Sequence, residues 1–213
     1  MAEYTLHCFA QSGNAYKAAL MLELCGADWR PAFVDYFAGA TREPAFAELN
    51  EMAEIPVLEH RSRRLTQSGV ILDYLGKKLG RFRPEGAEAK REVLRWLLWD
   101  NHKLTASIAT YRFLVTFVPP DKRSADVIAF VKGRMDTALG ILERHLAPRD
   151  WILGAAPTIV DLSCIGYFYY GDEWGLDRAR YPAIAAWTDR IRALPRWKHP
   201  YDLMPGHPLP ARS

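Results

Sequence analysis

Cysteine is scarce. The 213-residue chain has three, Cys8, Cys25 and Cys164, scattered and without a CxxC pair. That excludes a disulfide-stapled secreted scaffold and a dithiol redox motif, and it points to a reducing, cytoplasmic setting. An excess of one charge is also missing. Lys and Arg number 28 against 25 Asp and Glu, a net charge of +3. So small an imbalance implies neither nucleic acid nor an anionic membrane as partner. The densest basic stretch, HRSRR at 60–64, reads as a solvated hairpin. No apolar run reaches the roughly 18 residues of a membrane span. The N-terminus has no basic stretch followed by an apolar one, so neither a transmembrane helix nor a leader is expected. Internal repeats and low-complexity tracts are absent as well.

What is present is the composition of a globular protein, 49% apolar and 25% charged, with material for one compact domain or two small ones. Residues 4–9, YTLHCF, alternate as a strand. From about Asn14 to Cys25 the residues Ala15, Ala18, Ala19 and Leu22 fall at helical spacing, and Gly26 supplies a stop. WRPAFVDY reads as a second strand despite Pro31, which makes a parallel, right-handed strand–helix–strand unit. REPAFAELN is a short helix. IPVLEHRSRRLTQ is a hairpin turning near Arg61-Ser62. Val70, Ile71, Tyr74 and Leu75 mark a further helix that ends near Gly80. GRFRPEGAEA then reads as a linker. Beyond it the apolar period is helical throughout: Leu94, Leu97 and Leu98; Ile128 to Leu146 by way of Met135 and Leu142; Ile184, Trp187, Ile191 and Leu194. The expectation is an α/β domain over 1–80, an all-helical domain over 88–200 and an extended tail over 201–213.

Three local patterns carry chemistry. In FAQSGNAYKAAL a strand hands over to a helix through Ser12, Gly13 and Asn14. Unpaired N–H groups and the positive end of the helix dipole meet there, and the Ser12 hydroxyl could donate to a bound thiolate and lower its pKa. The same residues also make an ordinary helix cap. In EIPVL, Pro56 stands just ahead of a strand; a cis Ile55–Pro56 bond would turn the Ile55 backbone outward to pair with a peptide-like ligand, and a trans proline would not. In TQSGVILDYL, Ser68 opens a helix suited to a carboxylate, with Gln67 beside it as donor and acceptor, or again as a simple cap.

The order and spacing of these patterns resemble those of the cytosolic glutathione transferases, with Ser after strand 1, Ile-Pro before strand 3 and Gln-Ser before helix 3. WILGAAPTIVDLSCIGYF adds to the likeness: Thr158 and Asp161 look like that family's buried capping box, a folding feature. SGNAYKAAL, RWLLWDNHKLTASIATYRF and KHPYDLMPGH look most like a bacterial branch with the serine loop of the theta and zeta classes. The resemblance implies an α/β thioredoxin-like N-terminal domain followed by an all-α C-terminal domain, and glutathione as co-substrate. It implies Ser12 as the thiolate-activating residue with Asn14 as second candidate, Ile55 before cis Pro56 against the cysteinyl backbone, and Gln67 and Ser68 on the γ-glutamyl carboxylate. Asp100 would meet the γ-glutamyl ammonium of a neighbouring subunit's ligand. Trp99, Tyr111, Phe113, Tyr169 and Trp174 are candidates for an aromatic acceptor pocket between the domains, though aromatics at helical spacing are usually core. A cytoplasmic homodimer with a detoxifying role follows from the same likeness.

Two departures matter. The loop carries Ser12, Gly13, Asn14 and Ala15 with no cysteine, which counts against a glutaredoxin-like covalent mechanism. NEMAEIP replaces the family's Asn-Pro-x-Gly-Lys approach to the proline, and Glu51 and Glu54 make that edge acidic, a handicap for an anionic tripeptide. Three readings therefore stand: conjugation of the glutathione thiolate to an electrophile, glutathione-dependent reduction of a disulfide or peroxide, and a non-catalytic binding protein on the same fold. His199, Asp202 and His207 match no standard zinc spacing, so no metal is expected. Cys8 and Cys164 read as inert core residues.

Overall fold

The computed structural model describes residues 2–208. The described residues divide into two compact units, one built from residues 2–83 and 194–208, the other from 84–193.

The first unit holds a four-stranded mixed sheet. Its strands are β1 (Tyr4–Cys8), β2 (Trp29–Phe33), β3 (Val57–His60) and β4 (Arg63–Thr66), in the order β2-β1-β3-β4. β1 runs parallel to β2 and antiparallel to β3, and β3 runs antiparallel to β4. This is the arrangement expected of a thioredoxin-like domain. Pro31 is tolerated because β2 is an edge strand, where one side of the backbone needs no ladder partner.

Helix α1 (Gly13–Cys25) is buried almost all round, from Ala15 to Leu24. The sequence stripe of Ala15, Ala18, Ala19 and Leu22 understates this, because a helix covered on several sides needs apolar residues on every face. Within this unit α1 packs against β1, α3 (Ser68–Leu79) and a short C-terminal helix. It stops at Gly26, whose φ of 67° closes the turn through N–H bonds to Glu23 and Leu22. A short α2 (Pro44–Leu49) precedes β3.

The second unit is helical: α4 (Ala87–Trp99), α5 (Thr105–Arg112), α6 (Ala125–Leu146), α7 (Ile159–Cys164), α8 (Gly171–Trp174) and α9 (Pro182–Arg192). Wide π turns at Asp100–Leu104 and Phe113–Phe117 interrupt the long helical run, and a 3₁₀ segment follows α7 at Ile165–Tyr170. Asp161, fully buried, organises this core. It accepts from the N–H groups of Ile152 at 3.0 Å and Thr158 at 2.8 Å, from the Trp187 indole at 3.0 Å and from the Thr158 hydroxyl at 3.2 Å. The expected capping box is therefore present. Burial pushes the Asp161 carboxyl up, opposed by these four donors. Arg112 and Glu173 form a buried ion pair at 2.6 Å, with the guanidinium over the Tyr170 ring at 4.2 Å.

The tail departs from the expectation of an extended strap. Pro200–Leu203 form helix α10, packed on α1, and the residues from Leu194 to Pro208 belong to the first unit. Tyr16 donates to the Lys198 carbonyl at 2.8 Å, and Arg196 donates to the Glu23 carbonyl at 2.8 Å. Burial acts to raise the Glu23 carboxyl, but hydrogen bonds from Lys198 and Trp29, with the nearby Arg196, carry it below the usual range. Residues 209–213 of the expected tail lie outside the described residues.

Candidate functional site

Strand register brings the sequence motifs to one end of the sheet. His7 pairs with Ala32 on one side and with Val57 on the other, and Val57 pairs with Thr66. One row of residues thus crosses all four strands at the carboxyl end of β1. Immediately beyond that row stand the loop to Ser12 from β1, Ile55 and Pro56 ahead of β3, and Gln67 and Ser68 after β4. Three strand spacings span about 14 Å, close to the reach of an extended tripeptide at about 3.5 Å per residue.

Ser12 is the N-cap of α1. Its Oγ accepts from the Ala15 N–H at 3.1 Å, and its hydroxyl proton goes to no acceptor among the described residues. Cap and donor are therefore compatible roles: the lone pair serves the helix and the O–H is left to meet an anion. Asn14, one turn position on, has a buried Oδ1 without a hydrogen-bond partner among the described residues.

The Ile55–Pro56 peptide bond is cis. Ile55 lies outside β3, and neither its N–H nor its C=O pairs with a described residue. The loop before it is braced by the buried Asn50, which donates to the Glu54 carbonyl at 2.7 Å and accepts from the Met52 N–H at 3.1 Å.

Ser68 is the first residue of α3 and is only 5% exposed, yet its hydroxyl makes no hydrogen bond among the described residues. No side chain caps this helix, so its first N–H groups are open to an anion. Gln67, held at a φ of 65°, does not face this N-terminus alone. Its Nε2 donates to the Glu54 carboxylate at 2.9 Å and lies 3.2 Å from the Met52 sulfur.

Other expected positions move. Asp100 is fully buried and accepts from the hydroxyls of Thr105 at 2.7 Å and Ser163 at 2.6 Å. Both oxygens are engaged inside the helical unit. Tyr169 and Trp174 are core residues of that unit, with Tyr169 donating to the Thr188 carbonyl at 2.8 Å and Trp174 to the Tyr167 carbonyl at 3.1 Å. Trp99 and Tyr111 are half-buried and Phe113 is exposed.

The sequence reading missed an aromatic cluster at the same sheet end. Phe9 stacks on Tyr36 with centroids 4.9 Å apart and meets Phe37 edge-on at 5.9 Å. His207 packs against Phe37 at 4.8 Å and Phe33 at 5.1 Å. Phe33, Tyr36 and Phe37 remain well exposed. The signal was the run of aromatics through the end of β2, at the carboxyl edge where open α/β sheets bind ligands. The tail supplies His207 by docking on the Ser12 loop: Ala10 donates to the Pro205 carbonyl at 2.7 Å, and the Gln11 amide bonds both main-chain groups of His207. Gly206 permits this approach, since a Cβ there would stand 2.6 Å from the Ala10 Cβ.

Burial pushes the Cys8 thiol up to about 12 and also raises Cys25; Cys164 is buried. Among the described residues no group of three His, Cys, Asp or Glu side chains is placed to hold a metal ion.

A mixed four-stranded sheet with helices, a serine at the first helix N-terminus, a cis proline before β3 and an all-helical second unit define a two-domain protein of the thioredoxin-like type. The family models described as glutathione S-transferase N-terminal domain and glutathione S-transferase C-terminal domain match residues 2–77 and 125–190. A glutathione S-transferase crystal structure from Pseudomonas fluorescens Pf-5 is similar at a TM-score of 0.88 and 30% identity, over 94% of this chain and all of that one, with 100% covered. A second, from Xanthobacter autotrophicus Py2, is similar at 0.85 and 30% identity, covering 95% of this chain and 97% of its own. The disulfide-bond oxidoreductase YfcG of Escherichia coli K12 is 27% identical over 88% of this chain and 89% of its own length. The chain belongs to the glutathione S-transferase family.

Proposed function

We propose that the protein is a glutathione transferase in which Ser12 stabilises the glutathione thiolate and the thiolate attacks an electrophilic small molecule. The observation that carries this is the Ser12 hydroxyl: it caps α1 through its oxygen and keeps its proton free, at the sheet end shared with the unpaired backbone of Ile55 and the unpaired hydroxyl of Ser68. Charge-assisted donation favours the ionised sulfur. The thiolate then forms a carbon–sulfur bond while the leaving group departs with its electron pair. Ser68 and the α3 N-terminus receive the γ-glutamyl carboxylate, and Ile55 pairs with the cysteinyl backbone. The acceptor is apolar, received by the exposed rings of Tyr36 and Phe37 beside Phe9. Family membership and free cysteines support a cytoplasmic detoxification enzyme working as a homodimer.

Reduction of a disulfide is the second reading, favoured by the likeness to YfcG. The bound thiolate would itself attack one sulfur, giving a mixed disulfide and a free thiolate. A second glutathione would then release the other thiol and oxidised glutathione. Calorimetric titration with glutathione, followed by assays with a chloronitrobenzene and with a low-molecular-weight disulfide, tests both. Saturable turnover of the chloronitrobenzene is expected; turnover of the disulfide alone would favour the second reading, and no binding would overturn both.

A further inference from the structure

Glu54 stands where an anionic tripeptide would least want a carboxylate. It lies next to the cis Ile55–Pro56 bond, it is exposed, and its Oε2 takes the Gln67 amide at 2.9 Å. Among the described residues no Lys, Arg or His pairs with it or with Glu51, and Glu54 Oε1 accepts from nothing. On the other side of Gln67 is Ser68, nine-tenths buried, with its hydroxyl unpaired and the uncapped N-terminus of α3 behind it. An anion-accepting group and a free carboxylate thus flank a single glutamine. Those two charges complement an α-amino acid head, whose carboxylate and ammonium sit on one carbon.

Asp100, the acid first assigned to that ammonium, is sealed inside the helical unit with both oxygens engaged. We infer that Glu54 is the specificity-determining residue for the γ-glutamyl ammonium, held in place by Gln67 and by the Asn50 bond to its own carbonyl at 2.7 Å. This rests on the glutathione reading of the site. The acidic edge then selects a zwitterionic head over a merely anionic one: an opposite charge at close range stabilises the ammonium, and the same carboxylate repels a ligand with only carboxylates there.

The inference is tested by calorimetry with glutathione and with its des-amino analogue, glutaryl-cysteinyl-glycine, on the full chain. Wild type should favour glutathione. Glu54→Gln should raise the glutathione Kd on the order of tenfold and leave the analogue's Kd unchanged or lower it, so that the preference disappears. Glu54→Asp should restore part of the preference. Glu51→Gln should change neither constant, which separates a specific contact from a general field. Glutathione binding that is unchanged or tightened in Glu54→Gln would overturn the inference while leaving the glutathione reading intact. A wild type that binds neither thiol would overturn both.

Discussion

At the scale of single residues, the proposed site separates binding from activation by distance along the ligand. In the proposed binding mode Ser68 is at the far end from the reacting sulfur. Its hydroxyl and the α3 N–H groups would then act on a carboxylate that keeps its charge throughout the reaction, so their contribution would be the same in ground and transition states. Ser68→Ala is expected to raise the KM for glutathione about tenfold with kcat nearly unchanged, the pattern of lost uniform binding. Steady-state kinetics at varied glutathione check it; a collapse of kcat at constant KM would reverse the assigned ligand orientation. Thiol chemistry by the protein itself plays no part in this scheme, because Cys8 at about 12 is un-ionised at neutral pH.

At the scale of elements, the capping box of α7 shows how much a short motif can carry. Four donors converge on Asp161 from Ile152, Thr158 and Trp187. Asp161→Ala would strand them in a dry core, at a cost of about 3–5 kcal/mol. Thermal unfolding should show a large drop in Tm, with glutathione affinity in the surviving folded fraction unchanged. A drop smaller than that of an ordinary surface substitution would contradict the role. This element was legible in the sequence because Thr158 and Asp161 are three residues apart and their partnership is local. So were the strand-to-helix passage at Ser12 and the hairpin, for the same reason. The buried contacts of Asp100, Tyr169 and Trp174 were not. Their letters suit a binding site as well as a core, and the deciding partners, Ser163 for Asp100 and Thr188 for Tyr169, are distant in sequence. The return of the tail to α1 was hidden likewise, since it depends on Tyr16, Glu23 and Gln11 meeting residues some 180 positions away, as the 182-residue separation of Tyr16 and Lys198 illustrates. The aromatic cluster at the end of β2 becomes visible only once strand register is known.

At the scale of the whole molecule, the exposed apolar residues argue for assembly. Val70 on α3 is 54% exposed, and Leu94 and Leu98 on α4 are 57% and 62% exposed. Met52, beside Gln67, is exposed as well. A helix that packs on one side needs only one stripe; α4 carries a second in Leu94 and Leu98, and α3 exposes Val70 outside its buried face. A two-fold symmetric homodimer that buries them is the expected state, isologous pairs being the commonest oligomers. Light scattering at micromolar concentration should give twice the 24.3 kDa of one chain, and the double substitution Leu94→Glu, Leu98→Glu should shift it toward the single-chain mass. A wild-type mass near 24.3 kDa would refute the dimer.

The central claim is that the Ser12 hydroxyl holds bound glutathione as a thiolate. Its most direct test is the pKa of the bound thiol, read from thiolate ultraviolet absorbance as pH is varied, in wild type and in Ser12→Ala. A donor to a charged sulfur contributes about 2 kcal/mol, roughly thirtyfold in kcat/KM and about 1.5 pK units. The bound thiol in wild type should therefore titrate well below a free thiol. In Ser12→Ala its midpoint should rise by about that amount, with the rate-versus-pH profile moving alike and the glutathione Kd above the midpoint weakened to match. An unchanged midpoint in Ser12→Ala would contradict the claim and transfer the role to Asn14 or to the backbone N–H groups of α1.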